Sequence, residues 1–233
     1  MTVLTAIQRA STSIGLGVPA AVFSSTEREH LELQDVANTV AGDIADFYDW
    51  QALKAIATIT GDGSDTAFAL PSDYGRMLKK AELRASTFPG SPLEHITDSD
   101  EWLRIVVSGL TAGIGQWTIY DDEIHILPAL ANAATAKYFY IKNTIVHPAS
   151  GADKTRFTID TDTFLLDEDA LELGIIYKWK RNKGLPHAEE LQDYNDKLAE
   201  RAGNDKGSKI LVVGRQRFGN GALEYAWPGT ITP

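Results

Sequence analysis

At 233 residues, with 43% hydrophobic and 23% charged side chains, the chain has the balance of a globular protein and enough length to bury one large core or two modest ones. A formal net charge of -10 argues against a protein that grips nucleic acid by neutralising phosphates, though not against one that DNA passes through. With no cysteine, disulfides, thiolate catalysis and cysteine zinc sites are excluded.

The first residues, MTVLTAIQRASTSIGLG, lack the basic start and apolar run of a signal peptide. No stretch approaches the roughly 18 apolar residues of a membrane span, so a soluble, unsecreted protein without a membrane partner is expected. Thr2 can cap a short helix in which Val3, Ile7, Ala10 and Ile14 recur at helical spacing, closed by Gly15 and Gly17. A longer helix opens at SSTEREH, where Thr26 and Glu29 have capping-box spacing. Leu33, Val36, Val40, Ile44 and Phe47 form its predicted buried stripe, with Tyr48 and Trp50 seating its end.

From Leu53 the period changes to alternation, as in AIATIT, and short extended runs separated by turn residues follow for about a hundred positions. Gly61 to Ser64 is a predicted turn, FALP a short strand, Arg76 to Ser86 ambiguous between strand and helix, and Phe88 to Pro92 a loop. Asp98 to Val107 reads as a short helix capped by an aspartate. QWTIYDDEIHILP is the strongest hairpin signal, turning at Asp121 and Asp122, and Ala136 to Asn143 is a further strand. A loop containing His147, Pro148 and Gly151 leads to RFTID.

Asp167 to Gly203 reads as two helices and a tight turn. Asp167 caps the first helix, and Asp167, Glu168 and Asp169 place acids at its start. Lys178, Lys180, Arg181 and Lys183 gather at its end before Gly184, either for helix-end electrostatics or to meet an acidic partner surface. Leu171, Ile175 and Trp179 mark the buried face of this helix. Pro186 is expected in the first turn of the next one, where Ala188, Leu191, Asn195 and Leu198 follow helical spacing beside Tyr194.

Helices at both ends with strands between them predict an α+β protein. Residues 1–52 and 164–206 would form a helical bundle, with a β-rich, sandwich-like domain at 53–163 inserted into it and a C-terminal arm at 207–233. Three successive modules are the alternative.

No catalytic constellation emerges. There is no P-loop, GxGxxG turn, HExxH or GxSxG elbow, and GLTAGIGQ at Gly109 to Gln116 lacks the phosphate-binding lysine. His30, His95, His125, His147 and His187 are scattered. Asp160 and Asp162, just before the acids of the helix start, lack the sharp-turn glycine of an EF-hand. They would serve glycan or phosphoester hydrolysis only if two carboxylates faced one cleft. No metal or cofactor is therefore expected. In the last segment Arg215, Arg217, Phe218, Tyr225 and Trp227 combine cations and rings of the kind enriched at binding hot spots. The segment is either an element folded back on its own domain or an arm that orders on a neighbouring subunit or partner, which makes these five the candidate partner-binding residues.

The opening MTVLTAIQRASTSIGLGVPAAVFSST, the helix ending in FYDWQAL, FALPSDYGRML, and the run from RFTIDTDTFLLDEDALELG to YNDKLAE together resemble the head-to-tail adaptor (connector, neck) proteins of tailed bacteriophages. The resemblance extends to about residue 205. Its most specific parts are Tyr48-Asp49-Trp50, Leu70-Pro71-Ser72-Asp73-Tyr74, and Leu165 to Tyr194. It implies a helical bundle with a β-sheet domain, no enzyme activity, and a homo-oligomeric ring of twelve copies. That ring would dock on the portal protein after DNA packaging and carry the tail or nozzle protein, with DNA passing through the channel without specific binding. It also implies assembly in the host cytoplasm and a place in the virion neck. Twelve copies at -10 each would total about -120, and an acidic lumen would let DNA slide without adhering; Asp121, Asp122 and Glu123 are candidate lumen residues. Another tail or neck component, or an acid-pair hydrolase, are the alternative readings.

Overall fold

The computed structural model describes residues 2–109, 113 and 115–206 of the chain. Among these it forms an α+β structure of five α-helices and several sheets.

Helix α1 (Val3–Ile14) starts where expected, with Thr2 Oγ1 accepting from Thr5 N–H, and ends on Gly15 at φ 83°. That left-handed conformation is one a glycine adopts without strain. Helix α2 (Arg28–Phe47) begins later than the Thr26/Glu29 capping box required. Its N-cap is Glu27, whose side chain makes no capping bond, and Ser25 Oγ instead accepts from Glu27 N–H and bonds His30 Nδ1 at 2.7 Å. Its buried stripe is Leu33, Val36, Ala37, Val40, Ala41, Ile44 and Ala45, whereas Phe47, expected inside, is exposed. The stripe ends instead on Trp50, buried with its Nε1 donating to Ile44 O and packed edge-on against Tyr48.

Helix α4 (Glu168–Asn182) is capped by Asp167, whose Oδ1 accepts from Ala170 N–H at 2.8 Å, and buries Leu171, Ile175 and Trp179 as the spacing predicts. Helix α5 (Ala188–Lys206) begins two residues after Pro186, so that proline precedes the helix rather than sitting in its first turn. Tyr194 and Leu198 are its buried residues. Ala188 and Asn195 face solvent. Helices α1, α2 and α5 all pack on α4. At Gly174 α2 and α5 approach α4 closely: a Cβ there would run into Val40 Cγ1 and lie 2.9 Å from Tyr194 Cε2.

Alternation from Lys54 onward produces strands. Strand β8 (Thr135–Lys142) pairs antiparallel along one edge with β1 (Lys54–Thr60), and along its other edge with β3 (Tyr74–Met77) and β4 (Arg84–Ala85). The ambiguous Arg76–Ser86 stretch is thus two strand ends joined by a turn. A second sheet runs β2 (Ala67–Ala69), β7 (Glu123–Leu127), β6 (Gln116–Tyr120), β5 (Glu94–His95), with β5 and β6 parallel. The β6–β7 hairpin turns at Asp121 and Asp122, at φ 53° and 56°, the paired left-handed conformation of a tight two-residue hairpin. Ile59, Ala136, Tyr138 and Tyr140 of the first sheet and Trp117, Ile124 and Ile126 of the second share one core. Helix α3 (Ser99–Ser108), capped by Asp98, closes one end of the second sheet by burying Trp102 and Ile105 with Ile96 and Leu127.

His147, expected in a loop, forms the two-residue strand β9 (Val146–His147) with β10 (Thr163–Phe164). These short pieces lead the chain back to the helices: Ile141, Ile145, Val146, Phe157 and Phe164 join the helical core.

Candidate functional site

The acids expected to offer chemistry are committed to holding the fold. Asp162 is fully buried. Its carboxylate accepts from the N–H groups of Thr158 at 2.8 Å and Ile159 at 3.1 Å, and from Lys154 Nζ at 2.9 Å and 3.0 Å. Burial works against its ionisation, but the Thr158 N–H and the Lys154 ammonium prevail and hold the carboxyl below its ordinary value. Asp160 Oδ1 accepts from Val22 and Phe23 N–H, fastening the connection between α1 and α2. A carboxylate sealed from solvent cannot face a substrate cleft, so these two acids do not form the pair that glycan or phosphoester hydrolysis needs.

The remaining candidates are likewise bound up locally. Asp98 caps α3, and Asp121 and Asp122 make the hairpin turn. His95 stacks on Trp117 at 4.0 Å and His125 on Tyr120 at 3.7 Å, while His147 Nδ1 pairs with Asp153 Oδ1 at 2.7 Å. Burial lowers the pKa of His95, so a neutral ring against the indole is favoured. Among the described residues no group of three or more His, Asp or Glu is placed to hold a metal ion. No helix among them is long and apolar enough to cross a membrane. The hot-spot candidates Arg215, Arg217, Phe218, Tyr225 and Trp227 lie outside the described residues.

The three lysines of the basic cluster at the end of α4 are paired with acids within the chain, while Arg181 donates to Tyr177 OH. Lys178 Nζ meets Asp43 Oδ2 at 2.9 Å, Lys180 meets Glu190, and Lys183 meets Glu32 while lying 4.6 Å from the centre of the Trp179 ring. These lysines join α4 to α2 and α5, which leaves little of their charge for an outside partner.

Two segments that carry the phage-adaptor resemblance, FYDWQAL and FALPSDYGRML, are joined through Asp49 and Arg76. Asp49 accepts from Arg76 Nη1 at 2.5 Å and from Lys79 N–H at 3.1 Å, and Arg76 Nη2 also donates to Tyr48 O. Asp73 accepts from Tyr140 OH at 2.7 Å and, through its carbonyl, from Asn143 N–H. Tyr48-Asp49-Trp50 and the Leu70 to Met77 run therefore clamp the end of α2 to the β3–β8 edge. Sequence reading found both segments and could not pair them, since the contact spans 27 residues with no local spacing to mark it.

Among the exposed apolar side chains of the described residues, two groups stand out. On the outer face of the first sheet, Ile56 and Phe139 are register partners, 59% and 50% exposed. With Leu78, Ala81 and the stems of Lys80, Arg84 and Lys137 they line a groove of about 540 Å³. On α3, Leu103, Val106 and Val107 project outward, Val107 being 79% exposed. Sequence reading missed both. Alternation marks which residues share a face but not which face is covered, and the α3 pattern reads as an ordinary amphipathic helix until Trp102 and Ile105 are seen to be its buried side.

Comparison of the chain with protein-family models and with curated protein sequences gives no match.

Proposed function

We propose that the chain is a structural subunit of the head-to-tail junction of a tailed bacteriophage, assembling into a closed ring that docks on the portal and carries the tail or nozzle. The observation that carries this reading is the pair of apolar surfaces, the sheet groove and the outer face of α3, at separate places on one subunit. A contiguous exposed apolar patch marks an interaction site, and a cyclic ring needs two unlike surfaces that meet as each copy is rotated onto the next. The Asp49–Arg76 contact supports the resemblance, because it gives the FYDWQAL and FALPSDYGRML segments a shared structural task.

In this reading residues 1–52 and 164–206 make one helical bundle, and 53–163 form a sandwich-like β domain inserted in it. The packing of α1, α2 and α5 on α4 supports that division, as does the separate core shared by the two sheets. With a formal charge of -10 per copy, the ring presents a lumen through which DNA moves without binding.

The test is the mass of the purified chain, alone and mixed with its portal, followed by imaging of the product. A discrete ring seated on the portal is expected. A chain that stays monomeric and fails to bind portal under any condition overturns the proposal.

A further inference from the structure

We infer that the outer face of α3 docks into the sheet groove of a second copy of the same chain, giving a head-to-tail contact. The contact deepens the ring reading and rests on it for closure of the ring.

The apolar arc of α3 is wider than its own subunit covers. Trp102 and Ile105 are buried against Ile96 and Leu127. Leu103, Val106 and Val107, spaced three and four apart, form a second stripe beside that buried side and face solvent. A surface helix ordinarily turns charged or polar residues outward at such positions. The acids of the same helix lie at its start: Asp98 and Asp100 have no cation near them among the described residues, and Glu101 has only Arg104 at 3.9 Å.

The groove has the opposite character. Its floor is the Ile56–Phe139 pair with Leu78 and Ala81 at the side. Arg84 is bound to Glu82 at 2.6 Å, whereas Lys80 and Lys137 are exposed and have no acid partner among the described residues. An apolar helix stripe ending in acids fits an apolar groove rimmed by lysines, the helix-in-groove mode of recognition with charges that set its direction. No residue of α3 lines the groove, so within one subunit the two surfaces do not meet. A contact between unlike surfaces of identical chains is heterologous and propagates around a ring.

Because the chain has no cysteine, disulfide trapping reads this contact directly. Val106→Cys and Ile56→Cys variants, mixed and mildly oxidised, should yield a dimer holding one of each, well above the yield of Val106→Cys mixed with a control Ser150→Cys. One chain carrying both substitutions should give a ladder of oligomers. As a second measurement, Val107→Asp and Phe139→Asp variants should each be monomeric with unchanged melting, yet form a one-to-one dimer when mixed, since each retains the surface the other lacks.

Cross-linking no better than the control overturns the inference, as does a single-cysteine variant that pairs efficiently with itself. A thiol at position 56 shielded from maleimide in the dilute monomer also overturns it, by showing that the chain covers its own groove. A portal-bound ring without the 56–106 disulfide sinks this contact and leaves the adaptor reading in place. The disulfide without portal binding does the reverse.

Discussion

Around α4 the charged side chains find partners inside the chain: Lys178 on Asp43, Lys180 on Glu190, Lys183 on Glu32, and Arg201 on Asp167 at 2.7 Å. Around β8 and α3, Lys80 and Lys137 have no acid partner among the described residues, while Ile56, Phe139, Leu103, Val106 and Val107 face water. Buried polar atoms without hydrogen-bond partners among the described residues fall mostly in the strand-rich region, at Trp102 Nε1, Gln116 Oε1, Trp117 Nε1 and His125 Nε2, with Arg201 Nε, ion-paired to Asp167, in the helical one. The helical region pairs the charges around α4 within the subunit although Leu31, Phe47 and Leu185 face water there, whereas the strand-rich region groups its exposed apolar side chains beside lysines that lack acids among the described residues. Individually the exposed ion pairs contribute little to stability, about 0–1 kcal/mol each. Their lesson concerns availability, because a cation already paired offers a partner less.

Three substitutions break or sharpen this contrast. The largest effect is expected from Trp117→Ala. Trp117 is wholly buried and stacked on His95, so its loss should cost about 3–5 kcal/mol in urea denaturation. A cost under about 1 kcal/mol would mean that the strand-rich core is not packed in the isolated subunit. Next comes Gly174→Ala, where the added methyl meets Val40 and Tyr194 and should cost about 1–3 kcal/mol by the same measurement. A neutral result would show that α2, α4 and α5 are less closely fitted than their approach indicates.

The third is Asp162→Asn, expected to cost about 1.5–3 kcal/mol at neutral pH by weakening charge-assisted bonds to a buried carboxylate. Here the sign with pH is decisive. The folded carboxyl titrates below its ordinary value of 3.8, so its stabilisation is complete above that value and is lost as pH falls through the lower, folded value. The gap between wild type and variant should therefore be constant near neutrality and close below about pH 3.8, as thermal melts across an acid series would show. A gap that widens in acid would contradict the Lys154–Asp162 assignment.

Signals written within a few residues of each other were legible in the sequence. Thr2, Asp98 and Asp167 each cap the helix that follows, Asp121-Asp122 turns the hairpin, and the change of period at Leu53 marks where strands begin. The errors came where tertiary contacts override local chemistry. The Thr26/Glu29 box has the right spacing, yet Ser25 takes the bonds available there. Ala188 and Asn195 obey the helical period of α5 but face solvent, Tyr194 and Leu198 being the residues α5 buries. For the candidate sites the gap was wider. That Asp160 holds residues 138 positions away and that Lys178 holds Asp43 cannot be read from spacing, and both facts turn apparent chemistry into scaffolding.

The seating of α1 has a consequence for how the protein is made. Its N-terminus is held by Val3 N–H donating to Asp162 O, and its apolar side packs on α4, which ends at Asn182. A ribosome adding about 5–20 residues per second needs roughly 10–30 s to travel from the end of α1 to the end of α4. For that interval Ile7, Leu33, Val40 and Ile44 lack the α4 side chains Leu171 and Ile175 that complete their core, whereas every residue of the core shared by the two sheets is made before α4. Synthesis thus finishes the middle of the molecule before its beginning, and yield in a foreign host should depend on chaperone supply during those seconds.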